Sequence, residues 1–314
     1  MSKKILITGG AGYIGTTLIP LLLNEKYKVT VYDSLIFNNG DKLFPFFADQ
    51  NFDFIKGDVI DSEKLKYSVQ NQDIVIHLAA LVGFPICREK GESFSHKINV
   101  EGTQNVIQSM NPDQYLLFGS TGSNYGEVQG ICTEETPLNP LSIYGKTKTE
   151  AEQLIMSREN STAFRFATAF GISPRLRLDL LVNDLTNKAY REGYAAIYEA
   201  HFLRTFIHVR DIARVFMFAI NNHDRVKNNV YNVGSNDMNF SKKEICEIIK
   251  KHIPKANFNY SGQGQDEDKR NYQVSYDKIN MLGYKTTVSI DQGIKELLRV
   301  LPAINIASNQ YSNV

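Results

Sequence analysis

Within the first 15 residues, KKILITGGAGYIG sets a short apolar run against a glycine cluster and then a helix-forming stretch. A strand that turns through glycines directly into a helix constrains the fold more than any other feature here. The next strand then pairs in parallel, after the helix has crossed over one face of the sheet. The unit recurs: KKILIT, YKVTVYD, NFDFIKGD, QDIVIHLA, QYLLFGS and TAFRFAT are β-branched and aromatic runs, each followed by a polar or glycine-rich turn and an amphipathic stretch. Their apolar residues sit on consecutive positions, as strands covered on both faces require. The sequence therefore predicts an α/β fold with a doubly wound parallel sheet and crossover helices over 13–26, 62–71, 96–110 and about 142–158.

After residue 170 the pattern loosens. SPRLRLDLLVNDLTNKAYREG reads as a helix with a basic start, RTFIHVRD as a strand and 211–222 as a helix, with further units at NNVYNVG, 241–252 and 289–301. No repeat or linker separates the two parts. The expected division is 1–170 for the doubly wound part, with some later segments returning to it, 171–301 for a smaller α/β part capping its strand ends, and 302–314 for a flexible tail.

A chain of 314 residues with 42% hydrophobic residues fills a sizeable core. Its 35 Lys and Arg balance 34 Asp and Glu, so no charge footprint points to nucleic acid or an anionic membrane. Cys87, Cys132 and Cys246 stand far apart with no CxxC and no His at ligand spacing, which argues against disulfides and structural zinc and points to a reducing cytoplasm. No metal is expected. The start has no signal-peptide pattern, and no 18-residue apolar run occurs.

TGGAGYIG follows a strand and opens a helix, the setting in which glycines let a dinucleotide pyrophosphate approach backbone amides at a helix N-terminus. The glycines fit as Gly10, Gly12 and Gly15 or as Gly9, Gly12 and Gly15. Asp33 closes the second strand, 18 residues past Gly15, where a carboxylate accepts from a ribose diol and repels a 2′-phosphate. With Ser34 and Leu35 beside it rather than Arg, NAD is favoured over NADP. Asp58, in KGDV, either touches the adenine or is a solvated turn residue.

IYGKTK sets Tyr144 and Lys148 four apart, on one face if the segment is helical. An ammonium there stabilises a phenolate, as a proton-transfer group working near neutral pH needs. It is the one YxxxK in a chain of 16 tyrosines, and it follows GSTGSNY, a strand tip rich in hydroxyls that reads either as a polar loop or as a delivery of a hydroxyl to a reaction.

Together, TGGAGYIG, Asp33, KGDV, DIVIHLAA, NVEGTQNVI, STGSNYG, TEETPLNPLSIYGKTKTEAE, RTFIHVRDIA, VYNVG and a late LGY resemble the extended short-chain dehydrogenase/reductase family, in particular its NAD-dependent nucleotide-sugar epimerases and dehydratases, over nearly the whole chain. The resemblance is strongest to the UDP-glucose 4-epimerase branch. It implies a Rossmann-type fold and NAD as cofactor, with Gly9, Gly12, Tyr13, Ile14 and Gly15 at the pyrophosphate and Asp33 at the adenosine ribose. Asp58, Val59, Leu78, Ala79 and Ala80 would line the rest of the cofactor path, together with Tyr144 and Lys148. Tyr144 is then the acid/base, Lys148 its tuning partner and ribose ligand, and Thr121 the catalytic hydroxyl. On the substrate side the resemblance implies Ser120, Ser123, Asn99, Thr168, Arg204 and Arg270, with Arg175 and Arg177 as extra candidates. A homodimer through helices around 96–110 and 142–158 is also implied.

Two departures narrow the chemistry. Gly122 and Ser123 stand where dehydratases of this family carry an Asp-Glu pair that eliminates water, and Thr168 replaces the Asn of an RxFN segment. SPRLRLDLLVND and LVGFPIC are similar to a subgroup that includes GDP-heptose 4-dehydrogenases of bacterial surface-sugar synthesis. The expectation is oxidation at carbon 4 of a nucleotide sugar through a 4-keto sugar, as an epimerase or a dehydrogenase. The rivals are a non-catalytic NAD-binding sensor or scaffold, since fold alone does not guarantee chemistry, and an NADPH-dependent keto-sugar reductase, which Asp33 disfavours.

Overall fold

The computed structural model describes residues 2–261, 272–305 and 311–313. The chain begins β1 (Lys4–Thr8), α1 (Gly15–Asn24), β2 (Lys28–Asp33), β3 (Phe52–Lys56), α2 (Ser62–Val69) and β4 (Ile74–His77). It continues through α3 (Phe84–Lys90), α4 (Glu92–His96), a π-helical turn (Lys97–Glu101), α5 (Gly102–Ser109), β5 (Tyr115–Thr121), β6 (Ile131–Cys132), α6 (Ile143–Met156) and β7 (Ser161–Phe166). Beyond these come β8 (Thr168–Phe170), α7 (Leu181–Arg191), β9 (Tyr194–Tyr198), β10 (Leu203–His208), α8 (Val209–Asn221) and β11 (Asn229–Val233).

Seven strands form one parallel sheet in the order β3-β2-β1-β4-β5-β7-β11. The strand order reverses direction between β1 and β4, the place where a doubly wound sheet opens a crevice beyond its carboxyl ends. Side-chain alternation explains the two layers. Ile5, Ile7, Val29, Val31, Ile74, Ile76 and Leu117 enter one core with α1 and α8, while Leu6, Tyr32, Val75, Leu116 and Phe118 enter another on the opposite face. β1, β2, β4 and β5 thus each feed two cores.

The second part has its own core of Leu176, Val182, Leu185, Phe206, Ile245, Ile249, Ile294 and Leu297. It includes a three-stranded sheet in which β10 lies between β8 and Asn239–Ser241, and a parallel pair of β9 with Asn257–Ser261. The chain crosses back twice: first α8 packs into the first core and β11 becomes the outer strand beside β7, and later 272–284 return with Val274, Tyr276 and Ile279 in that core and Gln273–Val274 paired with β6.

Two expectations need correction. The helix read from SPRLRLD onward starts only at Leu181, because the Asn183 side chain is bonded to Gly171 N at 2.9 Å and to Arg177 O at 2.8 Å, holding 171–180 as a turn folded across the first turn of α7. Within the stretch expected as a tail, Tyr311 O accepts from Leu178 N at 2.7 Å and Tyr311 packs on the second core, so 311–313 are docked. Arg270 lies outside the described residues.

Candidate active site

A cavity of about 660 Å³ runs along the carboxyl ends of β1, β2, β4 and β5 and continues under α7, β9 and β10. Its first end is built from the glycine turn. Gly9 has φ +71°, and a Cβ there would stand 2.6 Å from Ala79 N, so only glycine lets β1 and β4 diverge this closely. A Cβ on Gly15 would stand 2.4 Å from Gly10 O. Gly9, Gly12 and Gly15 line the cavity and Gly10 does not; Gly10 faces Val31 instead. The first turn of α1 has no side-chain cap and no acidic residue to repel an anionic guest.

Asp33 lines this end, its carboxylate accepting from Ala11 N at 3.0 Å and Leu35 N at 2.8 Å. Burial pushes its carboxyl above the ordinary value against the pull of those amides. Beside it, Asn39 donates to Ala11 O at 2.7 Å, while its own Oδ1 is buried without a partner on the cavity wall. An orphaned acceptor, a carboxylate and a glycine cradle fit the ribose and pyrophosphate of a dinucleotide. Ile14, Asp58, Val59, Leu78, Ala79 and Ala80 also line the wall. Tyr13 lines it too, but its hydroxyl donates to Gly171 O at 2.7 Å and stitches the glycine turn to the second part.

In the middle of the cavity, β5 and α6 meet. Ser142 caps α6 by accepting from Gly145 N at 3.0 Å, which sets Tyr144 in the first turn and Lys148 one turn on, both on the wall. Lys148 is buried with its ammonium 3.8 Å from the centre of the Phe118 ring. Burial pulls it down to about 7, against the opposing pull of Glu152. Thr121 ends β5 on the same wall; its hydroxyl accepts from Ser123 N and donates to Ser123 Oγ, both at 3.1 Å. Ser120 and Ser123 line the wall as well, but the Ser120 hydroxyl is donated to Glu152 at 2.6 Å.

Asn99, expected on the substrate side, does not line the cavity. Its amide is engaged with Leu81 N (2.7 Å), Leu81 O (3.1 Å) and Thr147 Oγ1 (3.0 Å), clamping the chain after β4 to α6. It therefore acts behind the wall. His77 is another buried support: its ring nitrogens lie 2.7 Å from Thr8 Oγ1 and 3.0 Å from Thr103 Oγ1, and burial drops it to about 3, so it is neutral.

The far end is lined by side chains of the second part. Thr168 and the buried Arg204 are there. Arg177 is paired with Asp179 through bonds of 3.0 and 2.6 Å. Arg175 donates to Leu176 O, Ser312 O and Asn313 Oδ1, with Phe37 against its guanidinium. Sequence reasoning missed Phe84, Asp184, Lys188, Tyr198, Lys242 and Asn313, all on this wall. The spacing of Leu181, Asp184, Leu185 and Lys188 marks one face of a helix and was available as a signal. Nothing in the sequence pointed to Lys242, whose ammonium reaches Tyr198 O at 2.9 Å, or to Asn313. Among the described residues there is no cluster of His, Cys, Asp or Glu able to hold a metal, and no helix is long and apolar enough to cross a membrane.

A sequence model described as the NAD dependent epimerase/dehydratase family matches residues 5–234. The chain is 26% identical over 316 residues to a mouse dTDP-D-glucose 4,6-dehydratase, covering 94% of this chain and 87% of that one. It is 27% identical over 274 residues to the UDP-glucose 4-epimerase of Lactobacillus helveticus, covering 79% and 81%. Among solved structures, the UDP-glucuronic acid 4-epimerase of Bacillus cereus, in complex with UDP-glucuronic acid and NAD, superposes with a TM-score of 0.81 at 26% identity, covering 96% of this chain and 99% of that one.

Proposed function

The chain belongs to the NAD dependent epimerase/dehydratase family, and from that premise we propose that it oxidises carbon 4 of a nucleotide-activated sugar to a ketone. NAD, when bound along Gly9, Gly12, Gly15 and Asp33, supplies the acceptor for the hydride. Tyr144, as phenolate, takes the proton of the sugar 4-hydroxyl. The Lys148 ammonium, one turn along α6, stabilises that phenolate. Thr121 hydrogen-bonds the reacting oxygen and holds it against Tyr144. The observation that carries the reading is the meeting of Tyr144, Lys148 and Thr121 on one wall, continuous with the glycine cradle.

Dehydration is disfavoured by residue type, since Gly122 and Ser123 carry no acid; a Cβ at Gly122 would stand 3.2 Å from Tyr272 Oη and 3.4 Å from Phe166 O, which asks the tyrosine to give by only a few tenths of an ångström. Return of the hydride to the other face of the ketone makes the enzyme a 4-epimerase; release of the ketone makes it a 4-dehydrogenase. Arg204, Arg175, Arg177 and Arg270 are proposed on the nucleotide-sugar side, with Thr168 near the sugar. The likeness of SPRLRLDLLVND to the GDP-heptose subgroup supports a GDP-heptose substrate and a role in bacterial surface-polysaccharide synthesis. A cytoplasmic homodimer completes the reading.

Chromatography and mass analysis of products from UDP, GDP, dTDP and CDP sugars in deuterated water test it. An epimer, resolved at unchanged mass, or a ketone is expected with at least one carrier; a product lighter by water would overturn the epimerase and dehydrogenase outcomes, and no conversion of any carrier would overturn oxidation at carbon 4. Tyr144→Phe should lose roughly 100-fold or more in turnover while still binding NAD.

A further inference from the structure

Behind the wall that carries Tyr144 and Lys148 lies a buried acid that the reaction does not consume. Glu152 is two turns beyond Tyr144 and one beyond Lys148 on α6, and it is only 3% exposed. Its carboxylate accepts five hydrogen bonds: Ser120 Oγ at 2.6 Å, Asn124 Nδ2 at 3.1 Å, Arg165 Nε at 3.1 Å to each oxygen, and Arg165 Nη2 at 2.7 Å. Arg165 goes on to Tyr125 Oη at 3.0 Å and Glu134 O at 3.2 Å, and Tyr125 donates to Asn232 Oδ1 at 2.6 Å. One carboxylate therefore ties the tip of β5 to α6, β7 and β11.

We propose that Glu152 is a positioning residue for the Tyr144–Lys148 pair, holding the tip of β5 against α6 through Ser120 and keeping the Lys148 ammonium charged. Successive strand residues face opposite ways, so fixing the Ser120 hydroxyl toward α6 also fixes the side to which Thr121 turns. Lys148 sits in a poor setting for charge. The Phe118 ring on β5, the buried Cys87 thiol on α3 and the neutral His77 on β4 surround it, and burial holds Cys87 above the ordinary thiol value. On its own helix, Tyr144 and Glu152 flank it, and Glu152 is the carboxylate that acts on it. This inference rests on the assignment of Tyr144 and Lys148 proposed above.

The sign separates the proposal from simple electrostatics. Glu152 is about 6 Å along the helix axis from Lys148 and about 12 Å from Tyr144. Acting directly, loss of its negative charge would make the Tyr144 phenolate easier to form. Acting through Lys148, the same loss discharges the ammonium and makes the phenolate harder to form.

The test is an ultraviolet titration of tyrosinate in the NAD-saturated full chain, with Tyr144 isolated as the difference from Tyr144→Phe. In the wild type Tyr144 should ionise below the ordinary tyrosine value of about 10. In Glu152→Gln its midpoint should rise by about one pH unit. Because Glu152→Gln strands a buried arginine, the pair Glu152→Met with Arg165→Met is the second arm, since apolar replacement of a buried ion pair is commonly tolerated. It should move the midpoint the same way. A midpoint that stays or falls in the methionine pair, or loss of folding in that pair, overturns the proposal. Ionisation at or above about 10 in the wild type instead overturns the underlying assignment, whatever Glu152 does.

Discussion

At the end of the cavity proposed for NAD the wall is shaped largely by the backbone: the turn through Gly9 and Gly15, and the Ala11 and Leu35 amides that orient Asp33. At the other end it is lined by side chains drawn from separate stretches: Arg175 and Arg177 from the turn before α7, Lys188 from α7, Arg204 from β10, and Lys242. Those cations are partly committed already, Arg177 to Asp179, Lys188 to Asp184 at 2.8 Å, and Arg175 to carbonyls and Asn313. A backbone site demands particular residues at fixed spacing, whereas a side-chain site tolerates exchange among cations. On the proposed function, the first end suits one cofactor and the second suits adjustment to different substrates.

The largest expected effect is at the backbone end. Gly9→Ala forces a side chain onto φ +71° and into Ala79 N, so NAD affinity should fall on the order of 100-fold by calorimetry. Binding of the free nucleoside diphosphate should change little. An equal loss at both ends would erase the contrast drawn above.

Next comes Arg204→Leu at the side-chain end. Removing a buried guanidinium from the wall should weaken nucleoside diphosphate binding by roughly 10-fold or more and leave NAD binding within about 2-fold. The reverse pattern would mean that the two ends have been assigned the wrong way round.

Each part also carries a buried neutral histidine. His77 is lowered to about 3 by burial and His208 to about 4, so the unfolded chain binds more protons than the folded one between those values and about 6.5. Their contribution is full above about 6.5 and is lost as pH falls toward 4 and 3. Urea midpoints should therefore drop across that range. His208→Gln should flatten the drop, and an unchanged slope would remove His208 from the account.

The smallest effect concerns the docked 311–313 segment. Asn313→Ala removes one acceptor from Arg175, so nucleotide-sugar affinity should fall only about 3-fold. A change above about 30-fold would make Asn313 a direct ligand rather than a partner of Arg175.

The same contrast explains what the sequence made legible. The alternation that sends Ile5 and Leu6 into opposite cores is periodic, and the glycine turn and Asp33 are spaced by covalent geometry, so the sheet and the cofactor end could be read directly. Tyr144 and Lys148 needed only helical spacing. Reading 173–180 as helix follows from its continuity with the helical spacing of Leu181, Asp184, Leu185 and Lys188, although Leu176, Leu178 and Leu180 alternate every second residue; the Asn183 bonds that fold the stretch as a turn are tertiary. Asn99 and Ser120, placed on the substrate side by the resemblance, hydrogen-bond to Leu81, Thr147 and Glu152, partners 18 to 48 residues away that no local pattern encodes; Ser120 still lines the wall, whereas Asn99 stands behind it. Lys242 and Asn313 join the wall by long-range return of the chain, which no local pattern encodes.

The central claim, oxidation at carbon 4 by Tyr144 with Lys148 and Thr121, is tested most directly with a nucleotide sugar carrying deuterium at carbon 4, followed by mass spectrometry of the cofactor and the sugar after a single turnover in the wild type and in Tyr144→Phe. The account predicts that the wild type transfers deuterium from carbon 4 to NAD, with return to the sugar if the enzyme is an epimerase, and that Tyr144→Phe transfers at least about 100-fold more slowly. Product formed with carbon-4 deuterium never leaving the sugar, or transfer at wild-type rate without the Tyr144 hydroxyl, would contradict it.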